Sequence, residues 1–255
     1  MQNIKSNIYY ILPALNESQN IGKLFNNLSS FYMNKNLNIF VIYVNDGSTD
    51  DTNEKLNKIK NELSKNISLK IIDHKKNLGL GEAIKSGFNY CFSEANDQDV
   101  LITMDTDNSH TIEQSYELFQ KIIVDDADIS IASRYVKDSK IRGVKNVRIL
   151  LSFLAAKIFK IFFNINNVRD YTCGFRAYRV KKIKNIISSY KNFFSETGFS
   201  ASADILLKLY KFKDQLIFKE IPIDLRYDLK EGKSKMKIIK TIYLNLRLIL
   251  IRKIK

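Results

Sequence analysis

The chain has 255 residues, 45% of them hydrophobic and 27% charged, with only 9 Gly and 2 Pro. That length buries roughly 75% of the surface an unfolded chain exposes, so no disulfide or metal staple is needed, and collagen-like, coiled-coil and disordered classes are excluded. The net charge of +14 is split unevenly: residues 1–128 carry 12 basic and 18 acidic side chains, a balance of −6, and residues 129–255 carry 29 and 9, a balance of +20.

A fold does not need that split. It points to an anionic partner for the second half: nucleic acid, an anionic membrane surface or a phosphate-bearing substrate. Cys91 and Cys173 do not form a disulfide framework, and a reducing compartment is the simplest reading. The apolar run Ile8–Leu12 is too short for a signal peptide, and no run reaches the ~18 apolar residues of a membrane span. The expectation is a cytosolic protein, or one that lies on a membrane without crossing it.

In chain order, short Ile/Val/Tyr-rich runs at 8–12, 39–44, 69–72, 100–104 and 128–132 read as buried strands. Amphipathic stretches at 19–31, 51–64, 80–93 and 111–124 lie between them and read as helices. Such alternation predicts a parallel α/β sheet wound as βαβ units, whose ligands collect beyond the carboxyl ends of the strands. The second half is less regular. It holds a long apolar-rich helix at 145–165, a strand within 174–179, a helix at 199–211 and a strand at 216–221. A basic loop at 228–235 and an amphipathic helix at 236–254 follow. The whole reads as one compact α/β domain over 1–235 with a basic amphipathic appendage at 236–255, and no internal repeat. Within the domain, 1–133 reads as the nucleotide-binding half and 134–235 as the acceptor-binding half.

Five constellations carry chemistry. Asp105-x-Asp107 follows the strand VLITM, and two carboxylates so placed suit Mg²⁺ or Mn²⁺ bridging a diphosphate. On the pair alone, solvated loop acids with Asp107 capping the next helix are the preferred reading, since acids at strand ends are common. Asp46 ends the second strand, where an acid meets a ribose or a base N–H. A helix start capped by Ser48 or Thr49 accounts for its neighbours but not for Asp46. Gly79 and Gly81 open a helix and allow either close approach to a ligand or a tight turn.

The fourth constellation is basic: Arg134, Arg148, Arg169, Arg176, Arg226, Lys230, Lys233 and Lys235. Arg148 shares a helix face with Ser152, and arginine forks grip phosphate oxygens. The fifth is the helix 147–165, with apolar residues on one half-circle and Arg148, Ser152, Lys157 and Lys160 on the other. It suits a bilayer interface or a protein core equally. His74 and His110 belong to no cluster with zinc spacing.

Seven segments in order resemble family-2 glycosyltransferases of GT-A fold, and more narrowly the polyprenyl-phosphate sugar synthases of dolichol-phosphate mannose type. They are PALNESQNI, NDGSTDDT, NLGLGEA, MDTDNSH, ASRY, DYTCGFRAYR and EIPIDLRYDLKEGKSKM, spanning Pro13 to Met236. The resemblance implies a Rossmann-like, mostly parallel sheet, a nucleotide-diphosphate sugar donor, Mg²⁺ or Mn²⁺, and inverting transfer to a polyprenyl phosphate. It gives the D-x-D pair the metal reading. It places Pro13, Leu15, Glu17, Asp46, Gly79, Gly81 and Asp105 at the donor, and Asp105, Asp107 and Ser109 at the metal. Arg134, Arg148, Ser152 and Arg226 would grip the acceptor phosphate or the donor diphosphate, with Asp170 and Gly174–Arg176 flanking the sugar and Asp105, Asp107, Arg134 and Asp170 as the catalytic set. The chain departs from the family at Asn45, where an acid is usual, at Leu15 for Tyr, at Ser109 for Gln and at Cys173 for Ser.

The implied location is the cytoplasmic, inner face of a membrane, where the basic half meets anionic lipid. Two other readings remain. A family-2 transferase acting on a saccharide hydroxyl would need a base, with Asp170 or Asp204 as candidates. A non-catalytic basic module would bind a nucleotide sugar or nucleic acid, although no nucleic-acid-binding signature is present and nucleic acid is not expected as a partner.

Overall fold

The computed structural model describes residues 6–231 and 238–254. Lys233, Lys235, Met236 and the 235/236 boundary fall outside the described residues.

The first half alternates as its periodicity predicts. Strands β1 (Ile8–Ala14), β2 (Ile39–Asn45), β3 (Ile67–Asp73), β4 (Val100–Thr103) and β5 (Ile129–Ser133) are separated by helices α1 (Ile21–Tyr32), α2 (Thr52–Glu62), α3 (Leu80–Glu94) and α4 (Ile112–Ile123). β1, β2, β4 and β5 are buried almost throughout, as strands covered by helices on both faces must be. β3 stands at the sheet edge and alternates buried with exposed along its first half.

The second half adds β6 (Lys140–Arg142), α5 (Asn146–Phe162), β7 (Arg176–Arg179), α6 (Val180–Ser188), α7 (Ala201–Leu209), β8 (Phe218–Pro222), β9 (Asp224–Arg226) and α8 (Ile238–Ile254). The main sheet runs β3-β2-β1-β4-β7-β5-β8, so both halves build one sheet. Every pair is parallel except those of β7, which lies antiparallel between β4 and β5. Arg176 of β7 is fully buried, its guanidinium donating to the carbonyls of Ser202 (2.6 Å) and Tyr171 (2.9 Å). It is a structural cation and does not reach toward a ligand. Helix α6 is absent from the sequence reading, although Val180, Ile183 and Ile186 repeat at helical spacing on its buried face.

β1 pairs with β2 on one side and β4 on the other, which opens a crevice beyond their carboxyl ends. The expected helix starts are corrected in detail. The Ser48 hydroxyl accepts from the Asn16 N–H (2.8 Å), and Asn16 Oδ1 accepts from the Thr49 N–H (2.7 Å), so both residues tie two loops together and neither caps α2. Asp50 instead accepts from the Thr52 N–H (3.1 Å) at the helix start. α4 is capped by Thr111, whose side chain accepts from the Gln114 N–H, so Asp107 does not cap it.

Helix α5 fully buries Ala156 and Phe159 and packs Ile158 against the core. Its outward side is an apolar stripe of Val147, Leu150, Leu154 and Ile161, the last 77% exposed. α8 packs beside it, burying Leu248 and Ile249 while leaving Tyr243, Leu246 and Leu250 exposed.

Candidate active site

A single cleft of about 570 Å³ opens beyond the strand ends and is lined from β1, β2, the 77–80 loop, the 105–110 loop, α5, the 223–230 segment and α8. Pro13, Leu15, Glu17, Asp46, Gly79, Asp105, Asp107, Ser109, Arg134, Arg148 and Ser152 all line it. The sequence set is therefore gathered in one place, with three exceptions described below.

On one side lies the loop after β3. Asp46 accepts from the N–H groups of Leu78 (2.9 Å) and Gly79 (2.8 Å) and from His74 Nδ1 (2.7 Å). Its carboxylate thus shapes the glycine loop from within the cleft. Asn45, where the family has an acid, donates from its amide to Asp73 Oδ1 (2.9 Å). An aspartate there would set two carboxylates together, so Asn45 fits this chain's Asp73. Gly79 has φ +96°, a conformation side chains rarely adopt. Gly81 does not line the cleft. Its N–H donates to Thr197 O (2.8 Å), and an added Cβ would lie 1.8 Å from Glu196 O, so its bareness serves packing of the 196–197 backbone.

In the middle lies the carboxylate pair. Asp105 opens onto the cleft while its backbone N–H donates to His110 Nδ1 (3.2 Å), which fixes that ring nitrogen as an acceptor. The His110 ring stacks on Phe175 at 4.4 Å. Burial among protein atoms pushes the Asp105 carboxyl above its ordinary range; Asp107 adds to this, against the pull of Lys230. Burial would also raise Asp107, but the Lys230 ammonium outweighs it and holds that carboxyl below the usual range. Asp107 Oδ2 bonds Lys230 Nζ, and Oδ1 accepts from the Ser109 N–H (3.1 Å) and hydroxyl (2.5 Å). Asp107 thus already receives a cation, the Lys230 ammonium. Among the described residues no cluster of three or more His, Cys, Asp or Glu side chains could hold a metal alone. The two aspartates therefore fit an ion that takes further ligands from a bound diphosphate or water.

At the far side stands the arginine cluster. Arg134 forks onto the wholly buried Asp170 with Nε–Oδ2 and Nη2–Oδ1 contacts of 2.7 Å each. Two of its three remaining N–H groups reach Ser152 Oγ (2.9 Å) and Thr172 Oγ1 (2.6 Å), which leaves one at Nη1. Burial would raise Asp170, but Arg134 dominates and holds it low. The Asp170 carboxylate is thus spent on orienting Arg134 and does not face the cleft. Asp204 is likewise held by Lys208 (2.9 Å) and Arg252 (2.7 Å). Arg148 lies over the Tyr227 ring at 4.8 Å, with Lys230 at 5.2 Å from the same ring.

Arg226 is not brought in. Ile223, Leu225 and Tyr227 line the cleft, so strand alternation turns Arg226 to the opposite face, where Asp228 takes its guanidinium (2.8 Å). Lys230 occupies the inward place, and sequence reasoning counted it only among general basic residues. A single 3₁₀ turn over Tyr227–Leu229 breaks that alternation, so the strand period alone could not have placed Lys230. The cleft also has an apolar lining, which includes Ile141, Val144, Leu151, Ala155, Ile242 and Leu244.

Comparison with known proteins places these features in a family context. Residues 9–187 match the model described as "Glycosyl transferase family 2". The chain is 32% identical over 199 residues to a dolichol-phosphate mannosyltransferase of Pyrococcus furiosus, covering 78% of this chain but only about half, 51%, of that relative. It is 26% identical over 226 residues to an undecaprenyl-phosphate mannosyltransferase of Micrococcus luteus, covering 89% of this chain and 86% of the relative. Glucosyl-3-phosphoglycerate synthase from Mycobacterium tuberculosis, solved with Mn²⁺, UDP-glucose and phosphoglyceric acid, superposes with a TM-score of 0.69 at 15% identity, covering 97% of this chain and 80% of that one. The last likeness shows a shared fold.

Proposed function

This chain belongs to glycosyl transferase family 2, and from that premise we propose that it moves a sugar, with inversion, from a nucleotide-diphosphate sugar to a polyprenyl phosphate at the cytosolic face of a membrane. The observation that carries this reading is that one cleft brings together carboxylates, arginines and apolar side chains. That combination suits a donor diphosphate, a lipid phosphate and the start of a lipid tail. The names of the Pyrococcus and Micrococcus relatives support the same acceptor class.

Mg²⁺ or Mn²⁺ held by Asp105 and Asp107 would set positive charge against the diphosphate as it leaves. The chain's own residues do the rest. Asp46 and the Gly79 loop, with Pro13, Leu15 and Glu17, form the nucleoside side. Asp170 and Ser152 fix the Arg134 fork, and Arg134 with Arg148 offers guanidinium donors to phosphate oxygens. A phosphate nucleophile is already anionic near neutral pH and needs no general base. This favours the lipid phosphate over a saccharide hydroxyl, because Asp170 and Asp204, the two carboxylates considered as bases, are each engaged by cations.

The membrane face in this reading is the apolar stripe of α5 with the exposed side of α8, flanked by Lys157 and Lys253. No helix among the described residues is long and apolar enough to cross a membrane. The test is to incubate the protein with Mn²⁺, undecaprenyl phosphate and a panel of labelled sugar nucleotides, then analyse lipid-linked products. A labelled lipid phosphate of inverted anomeric configuration is expected. Transfer to a saccharide acceptor alone, or to nothing under any donor, would overturn the proposal.

A further inference from the structure

A strap of residues 226–231 crosses the carboxylate pair. The Arg226 N–H donates to Ser109 O (2.9 Å). The Asn20 side chain bonds both backbone groups of Glu231, accepting at Oδ1 from its N–H and donating from Nδ2 to its carbonyl, each at 3.3 Å. Asn20 also donates to Glu17 Oε2 (2.7 Å), and its carbonyl accepts from Asn108 Nδ2 (3.0 Å). The strap is thereby tied to the loop that carries Asp105 and Asp107, and it delivers Lys230 onto Asp107 Oδ2.

Both oxygens of Asp107 are occupied in this arrangement, Oδ1 by Ser109 and Oδ2 by the ammonium. A divalent ion that uses Asp107 must take Oδ2, in contact with a group of like charge. Lysine and metal therefore exclude one another at that oxygen. Lys230 also lines the cleft, and its stem is flexible, so diphosphate oxygens offer the ammonium another anionic partner within reach.

We propose that Lys230 is an internal counter-cation that keeps divalent metal off Asp107 until a donor diphosphate draws its ammonium away, coupling metal binding to nucleotide binding. This deepens the reading above and rests on its assignment of Asp107 as a metal ligand. Affinity for a site whose competent state is only fractionally populated falls by that fraction. A strap docked nine times in ten lowers metal affinity by about tenfold.

The test is Mn²⁺ binding followed by electron paramagnetic resonance, in wild type, Lys230→Met, Lys230→Gln, Lys230→Arg and Asp107→Asn, without nucleotide and with UDP. Without nucleotide, the Met and Gln variants are expected to bind Mn²⁺ about tenfold tighter than wild type, and the Arg variant to resemble wild type. UDP is expected to tighten Mn²⁺ binding more in wild type than in Lys230→Met. Asp107→Asn should lose the site. If Asp107→Asn loses it but neither neutral variant binds Mn²⁺ more tightly, the counter-cation role is refuted and the metal assignment stands. If Asp107→Asn binds Mn²⁺ as wild type does, the metal assignment and this proposal fall together.

Discussion

Two carboxylates one residue apart receive opposite treatment from their surroundings. Asp107 is neutralised by Lys230 and held low, whereas Asp105 is raised, mainly by burial and then by Asp107. While ionised, Asp105 therefore costs the fold some stability, an effect moderated by the solvent that its open side meets. That cost fades as pH falls through its raised pKa, because the folded chain takes up the proton before the unfolded one does. Asp105→Asn is expected to raise Tm at pH 7, with the gain gone near pH 4, roughly the unfolded carboxyl range, and with transfer lost. Thermal scans at both pH values check this, and a lowered Tm at pH 7 would mean that the carboxylate supports the fold. Arg148 lines the cleft against Tyr227, and the proposed reading gives it the acceptor phosphate. Arg148→Ala should raise the KM for lipid phosphate by about tenfold or more, the scale of one charged hydrogen bond, and leave the donor KM nearly unchanged. The reverse pattern in steady-state kinetics would move Arg148 to the donor side.

Helix α5 has two working faces. Arg148, Leu151 and Ser152 line the cleft, while Val147, Leu150, Leu154 and Ile161 face outward, with Leu150 57% exposed. Its sequence pattern allowed a core helix or an interfacial one. The observed burial is partial, with Ala156 and Phe159 fully buried, Ile158 packed on the core and the outward stripe exposed. Replacing Leu150 and Leu154 together by Glu removes apolar area from that face without opening a cavity. Stability should move by about 0.5 kcal/mol or less per site, as at other exposed positions. Binding to vesicles that contain phosphatidylglycerol should fall by about tenfold or more, since burying each leucine side chain is worth about 1.5–3 kcal/mol. Unchanged co-sedimentation with vesicles would remove α5 from the membrane-facing role. α8 contributes differently: Arg252 and Arg247 fasten it to Asp204 and Glu196, next to the 196–197 backbone on which Gly81 packs.

At the scale of the molecule, the balance of +20 in the second half accompanies the outward faces of α5 and α8. If that charge serves docking, vesicle binding should need anionic lipid and weaken steeply between about 0.05 and 0.5 M salt, as the Debye length contracts. Equal binding to neutral vesicles would assign docking to the apolar stripe alone. The sequence by itself determined the alternating first half, the crevice beyond its strand ends, and the residues that meet there, because hydrophobic period and turn chemistry are local properties. It marked Asp105, Asp107, Arg134, Arg148 and Ser152 by type and position. Only the tertiary structure decided partnership. Asp170 stands behind Arg134, Arg226 turns outward to Asp228, Gly81 serves a backbone contact, and Lys230 takes Asp107 from 123 residues away. Which cation neutralises which carboxylate depends on strand facing and on long-range chain return, and neither is written in the neighbourhood of the residue itself.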